Sequence, residues 1–362
     1  MRTRFTFLIA CSLSACTVGP DYHAPVAAGA SDAWVEPATP GAIDVRWWEQ
    51  FGDPLLTDLV ARAMSGSPDV AEATARIAEA RANRDAAAGG RAPTVSATAT
   101  GSEVELSRNG QIPVGNIPGF DNQFGLFDVG FDASWEIDLW GRRTRQIEGA
   151  VARTEAAIAN RRDVLVALQA EVARTYLELR AGQARVGQAQ AVAEADSALE
   201  RLSRQRWQSG EAARSEWENA ASTARNSAGQ VALEQAQVAA ATYRIAALIG
   251  QAPEVVVPLV SADAPLPHTP ASILTGLRSQ LLERRPDVRR AERDLAAASA
   301  DIGVATADLF PRFTLVGSLG QQGRSVGDLT SGDSTRFQIG PSFSWPIFSG
   351  GTIRARIRAA DA

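Results

Sequence analysis

Residues 127–142 read FDVGFDASWEIDLWGR. Phe127, Val129, Phe131, Ala133, Trp135, Ile137 and Leu139 fall on one parity; Asp128, Gly130, Asp132, Ser134, Glu136 and Asp138 fall on the other. A side-chain period of two is the signature of a β-strand with unlike faces. The fold therefore turns on which two media this strand separates. In a soluble sheet they are a core and water. In a membrane barrel they are lipid and a wet lumen, and about 9–11 residues suffice to cross.

The first residues address the compartment. Arg2 and Arg4 precede an apolar run from Phe5 to Leu13, too short to span a bilayer as a helix and typical of a signal segment. Leu13-Ser14-Ala15-Cys16 looks like a bacterial lipobox, which makes residues 1–15 the signal and Cys16 the lipidated N-terminus. Cys11 lies in the removed segment, so the mature chain keeps no thiol for disulfides or catalysis. Acyl chains anchor without spanning. Thr17 after Cys16, in place of Asp, resembles the pattern exported to the outer membrane. All 36 basic residues are Arg, the net charge is −5, and no basic patch supports nucleic-acid binding. After the signal no apolar run is long enough for a transmembrane helix, so any spanning element is a closed barrel.

Residues 17–46, with Pro20, Pro25, Pro37 and Pro40, read as an extended tether. Short helices are expected over 53–64 and 68–88, strands over 93–106 and 125–139, a long helix over 141–207 and a return helix over 213–249. The segment Ile147 to Trp207 alone is 61 residues, roughly 92 Å at about 1.5 Å per residue. Leu165, Leu168, Val172, Thr175 and Leu179 follow a 3-4-3-4 seam, as do Val238, Ala241, Ile245 and Leu248 on the return. The 21 residues 68–88, laid end to end with the return helix, nearly match the long one. SPDV at 67–70 and RPDV at 285–288 reveal an internal repeat at an offset of 218, carrying Ala73 to Ala291, Ala78 to Ala296 and Pro93 to Pro311. The first repeat covers 47–268. The second, 269–362, has helices at 270–283 and 286–308 and strands at 311–322 and 336–348. Trp135 and Trp345 correspond at an offset of 210, which would carry the second half to 460. About 98 residues of helix would thus be missing, and with them the gate residues.

CTVGPDY at 16–22, WW at 47–48, WEIDLWGR at 135–142, RRPDVRRAERDLAAASADIGVATADLFP at 284–311 and GPSFSWPIFSGG at 340–351 together resemble the outer-membrane factors of TolC/OprM type. More narrowly they resemble the lipoprotein channels of resistance-nodulation-division efflux systems, the NodT branch. The resemblance implies an α+β membrane fold: a homotrimer in which each subunit gives four strands to a twelve-stranded barrel continuous with a periplasmic α-helical coiled-coil barrel. It implies an exit duct of a tripartite efflux pump, working with a periplasmic adaptor and an inner-membrane pump and passing drugs or other small molecules. It also implies location in the outer membrane, lipid-anchored and extending into the periplasm.

On that reading Asp128, Asp132, Glu136 and Asp138 face the lumen, where they would favour cations. Trp135, Trp140 and Trp345 lie at the membrane interface, where plain packing at the strand-to-helix junctions is the competing account. Arg204, Ser209 and Gly210, at the end of the helical hairpin, are candidate adaptor contacts. Glycine also simply ends helices. The other functional readings are a channel for protein or peptide secretion, and a periplasmic coiled-coil lipoprotein with a small soluble sheet. An enzyme has little support. Glu136 and Asp138 share one strand face, unlike the opposed carboxyls of glycoside chemistry. His23 and His268 sit in proline-rich connectors, and no metal or cofactor motif is visible.

Overall fold

Local chemistry fixes where the first helix starts. Asp53 is in extended backbone and its Oδ1 accepts from the amides of Leu55 (2.8 Å) and Leu56 (3.2 Å), with Pro54 at the first helical position. The computed structural model describes residues 17–25, 44–107, 119, 121–262, 264–269 and 284–362. The expected signal segment, Cys16, tether residues 26–43 and the helix at 270–283 lie outside the described residues.

The helices are α1 (Pro54–Gly66), α2 (Pro68–Gly89), α3 (Arg142–Gln208), α4 (Arg214–Ile249), α5 (Pro253–Val260), α6 (Pro286–Ala307) and α7 (Thr352–Asp361). The strands are β1 (Thr94–Glu105), β2 (Gln123–Ile137), β3 (Arg312–Gly323) and β4 (Thr335–Ser344). They form one antiparallel sheet in the order β1-β2-β3-β4. The succession α2-β1-β2-α3 recurs as α6-β3-β4-α7, and α2 and α6 are both 22 residues long.

Several elements differ from the pattern-based reading. β2 stops at Ile137, not 139, because Asp138 turns its carboxylate onto the amides that open α3. β4 stops at Ser344, not 348; Trp345-Pro346 follows, and a proline cannot donate to a strand ladder. The helix α5 was not expected, since Pro258 lies inside it. Pro258 forfeits one helical bond, which the complete burial of Val256 and near-complete burial of Val260 offset.

The chain divides into two compact units. The first comprises residues 1–25, 78–156 and 291–362 and holds the sheet. Its helical part packs through small side chains: Ala152 lies against Ala296 and Ala297, with Tyr22 alongside. The second comprises 26–77 and 157–290. Its core gathers Leu56, Leu59 and Val60 of α1, Val172, Tyr176 and Leu179 of α3, Ile245 and Ile249 of α4, and Val256 and Val260 of α5. Each large side chain buried there contributes about 1.5–3 kcal/mol. Of the seam positions read from spacing, Leu168, Val172, Thr175, Leu179 and Ile245 are buried, while Leu165, Val238, Ala241 and Leu248 pack at the margin.

Candidate functional site

The sheet carries two unlike faces, and its register shows which residues share each. On one face Ala97, Phe131, Leu319 and Phe337 stand in a row across all four strands. The next rows bring Ala133, Gly317 and Ile339 together, then Trp135, Leu315 and Pro341. Phe131 is 59% exposed and Phe337 70%. None of the described residues covers this contiguous apolar face, and such a surface marks contact with lipid or with another chain. The opposite face carries Ser96, Asp132, Ser318 and Gln338 in one row and Thr98, Gly130, Gly320 and Arg336 in the next.

The four carboxylates of the opening stretch have different surroundings. Asp128 forms a two-bond ion pair with Arg336, Nε to Oδ2 and Nη2 to Oδ1, each 2.6 Å, and Gln322 Nε2 donates to it at 3.0 Å. Asp132 accepts from Thr98 Oγ1 at 2.9 Å. Glu136 is clasped by Arg142 (2.9 Å) and Arg143 (2.8 Å) from the first turn of α3. Asp138 must be taken off the strand face. It lies beyond β2, and its carboxylate accepts from the amides of Arg143 (3.0 Å) and Thr144 (2.9 Å) and from the Thr144 hydroxyl. A carboxylate on the free amides of a helix start both satisfies donors and meets the positive end of the helix dipole.

The three tryptophans share one arrangement. Trp135 Nε1 donates to the carbonyl of Arg91 (2.8 Å), Trp140 Nε1 to that of Pro311 (2.8 Å) and Trp345 Nε1 to that of Leu309 (3.0 Å). All three acceptors lie where α2 or α6 hands over to a strand. Trp140 also stacks on Phe310 with ring centroids 4.8 Å apart. Each indole thus pins a strand-to-helix junction while keeping an apolar face, the chemistry favoured at a membrane boundary.

Residues 17–22 are held against the same unit residue by residue. The amide of Val18 donates to the carbonyl of Trp140 (3.1 Å). A Cβ on Gly19 would lie 2.4 Å from the Cα of Gly303. Asp21 pairs with Arg145 at 2.6 Å, and Arg145 is only 4% exposed. Burial works against the charge on Arg145, but Asp21 and Glu148 more than offset it and leave its pKa raised. Tyr22 donates to Glu292 Oε1 (2.5 Å), with Arg293 over its ring. The sequence pattern gave TVGPDY no such role, because its partners are more than a hundred residues away.

At the far end of α3, Gly210 adopts φ +81° with no atom within 4 Å of where a Cβ would stand, so backbone conformation alone demands glycine there. Glu211 N donates back to the carbonyl of Arg206 at 2.8 Å, closing the helix end, and Ser209 Oγ donates to the same carbonyl at 3.0 Å. Trp207 and Trp217 stack across the turn, centroids 4.9 Å apart and planes within 7°. Arg204 lies over the Trp217 ring and Glu200 accepts its indole proton at 2.7 Å. This aromatic clasp was missed, although WQSG followed by a second Trp on the return helix is a legible signal. Among the described residues no group of three or more His, Cys, Asp or Glu is placed to hold a metal. No described helix is long and apolar enough to cross a membrane, which leaves a β-barrel untouched.

Comparison with known proteins follows the same lines. The sequence profile of the family described as outer membrane efflux protein matches residues 59–251 and 277–362. Nodulation protein T of Rhizobium leguminosarum bv. trifolii is 30% identical over 353 residues, 97% of this chain and 74% of the relative. The pyoverdine export outer membrane protein OpmQ of Pseudomonas aeruginosa is 32% identical over 339 residues, 91% and 67% of the two. Among solved structures, the outer-membrane channel OprN matches with a TM-score of 0.83 at 37% identity, over 96% of this chain and 77% of that one.

Proposed function

The chain belongs to the outer membrane efflux protein family, and from that premise we propose how its parts make an exit duct through the outer membrane. Its function is that of an outer-membrane efflux channel, on a TolC-like fold. One observation carries the mechanism: a sheet with an uncovered apolar face, a polar opposite face and two open edges. Among the described residues, β1 and β4 each have one strand neighbour in the sheet. Hydrocarbon cannot satisfy the backbone groups of an open edge. β4 of one copy therefore pairs with β1 of the next, and three copies close a twelve-stranded barrel. Phe131, Leu319 and Phe337 face lipid; Asp128, Asp132 and Glu136 face the lumen. A soluble sheet would not leave those rings in water.

Cys16 carries the acyl anchor, and the segment that follows it, Thr17–Tyr22, is locked to Trp140 through Val18. The α3–α4 hairpin end, with Arg204, Ser209 and Gly210, meets a periplasmic adaptor, which joins the duct to an inner-membrane pump. The duct performs no chemistry and is passive. Substrate choice rests with the pump, so the cargo named for OpmQ need not be the cargo here.

The test is dye accumulation in cells lacking their own outer-membrane channel but holding a matching pump and adaptor. With this chain expressed and its outer-membrane level verified, accumulation falls. Unchanged accumulation at a normal outer-membrane level would refute the duct.

A further inference from the structure

We propose that Arg336 sets the ionic preference of the lumen by cancelling the charge of Asp128, an inference that rests on the duct reading above. The alternation of β2 shows carboxylates only, and by itself implies a pore that favours cations. The structure supplies the counter-charge from another strand, 208 residues away in the chain.

The register explains why the two groups can meet. Arg336 is the partner of Gly320 on β3, and Gly320 is in turn the partner of Gly130 on β2. Both are glycines because the backbones leave no room: a Cβ on Gly130 would stand 2.7 Å from the Leu319 carbonyl, and one on Gly320 would stand 2.6 Å from the Val129 carbonyl. The polar face therefore has a trough without side chains across its two central strands. To reach Asp128, whose own partner on β3 is Gln322, the Arg336 side chain must cross β3 in front of that trough. There its planar guanidinium takes both carboxylate oxygens, each at 2.6 Å, the geometry that arginine offers and lysine does not.

Other charges on this face are placed by the same register: Arg312 at the start of β3 pairs with Asp308, away from Arg336. Glu136 is held by Arg142 and Arg143 at the foot of the sheet. Asp132 stands two pleat repeats below Asp128, with Gly130 between them, and lines the same cavity as Arg336, Ser96, Ser318 and Gln338. Arg336 thus sits in reach of two carboxylates and neutralises one. With it, each subunit presents one uncompensated carboxylate, Asp132, along the stretch of β2 from Asp128 to Asp132; without it, two. Charge lining a pore sets which ions it passes, and the effect extends about 10 Å at 0.1 M salt.

The experiment is reversal potential across planar lipid bilayers under a potassium chloride gradient at 0.1 M and below, using the full chain. R336Q raises the cation-to-anion permeability ratio by roughly threefold. D128N, which frees Arg336 to face Asp132, lowers it. The double variant D128N/R336Q restores the wild-type ratio, and R336K, which keeps the charge but loses the fork, stays near wild type. If R336Q and D128N lower channel yield or heat stability while the ratio stays fixed, the pair only pins the sheet and the proposal fails. A wild-type chain that assembles in outer membrane but gives no conductance refutes the duct itself, and this inference with it.

Discussion

The hydroxyl of Tyr176 donates to Oδ2 of Asp53 over 2.6 Å, while Oδ1 of the same carboxylate caps α1. One aspartate thereby ties the start of a short helix to the middle of the long one. Arg180 Nε donates to the Tyr176 oxygen at 3.0 Å, and its Nη1 donates to the carbonyl of Ala262 at 2.7 Å. Y176F leaves both Asp53 Oδ2, half-buried, and Arg180 Nε, buried, short of a partner, at a cost of about 1–3 kcal/mol. D53A removes the cap as well, worth about another 0.5–2 kcal/mol. Denaturant titration in detergent checks both, and a Y176F chain as stable as wild type would show that water replaces the network.

The same tyrosine makes stability depend on alkaline pH. Burial first, then the bond to Asp53, pushes its pKa from 10.0 to about 12. The folded state thus holds the proton where the unfolded chain has lost it. The contribution is complete below pH 10 and falls as pH rises from 10 to about 12. The chain has no lysine, so no ammonium titrates in that window; Tyr22, raised by burial and by Glu292, adds an effect of the same sign. Melting curves from pH 9 to 12 should show wild type losing stability more steeply than Y176F, and parallel curves would contradict the assignment.

The N-terminal lock makes its own prediction. Gly19 has φ +91° and meets the Gly303 backbone, so G19A adds both left-handed strain of at least about 1 kcal/mol and a clash that backbone must absorb. Hydrogen exchange at Val18, whose amide is held by Trp140, should speed up in G19A while exchange in the α1–α4 core stays unchanged. Equal protection in both chains would mean that residues 17–22 are not locked in solution.

How much of this was readable beforehand depended on distance along the chain. The parity of β2, the pairing of SPDV with RPDV and the seam around Val172 are local, and each follows from one periodicity. Asp138 was misread because the alternation runs on past the ladder: the letters keep period two, but the next residues begin a helix whose free amides claim the carboxylate. Arg336 could not be matched to Asp128 without the β2–β3–β4 register, and Arg145 could not be matched to Asp21 without the packing of the first unit. Local pattern finds faces. Partners across a sheet require topology.

At the hairpin end, stacking of Trp207 on Trp217 contributes about 0.5–1.5 kcal/mol beyond buried area. W217A should leave outer-membrane level intact yet weaken site-specific cross-linking between residues near Gly210 and the adaptor, with a matching rise in dye retention. G210A acts on the same end by forcing an L side chain into φ +81°. If both variants cross-link and export like wild type, adaptor docking lies elsewhere on the chain.

Two neighbouring residues on β3 separate the faces most sharply. Leu319 stands in the apolar row with Phe131 and Phe337, and Ser318 in the polar row with Asp132 and Gln338. An arginine on the lipid side of a barrel strand costs about 2–4 kcal/mol at the bilayer midplane, whereas the lumen side hydrates it. L319R should therefore lower the amount of heat-modifiable oligomer recovered from outer membranes, and S318R should leave it near wild type. A soluble sheet with a water-facing polar side and a protein-covered apolar side would also reject L319R, so the decisive readout is location. Read in chains without the Cys16 anchor, L319R protein that still folds but partitions into the periplasmic fraction places Leu319 against lipid; L319R protein that remains assembled in the outer membrane removes β3 from the barrel wall.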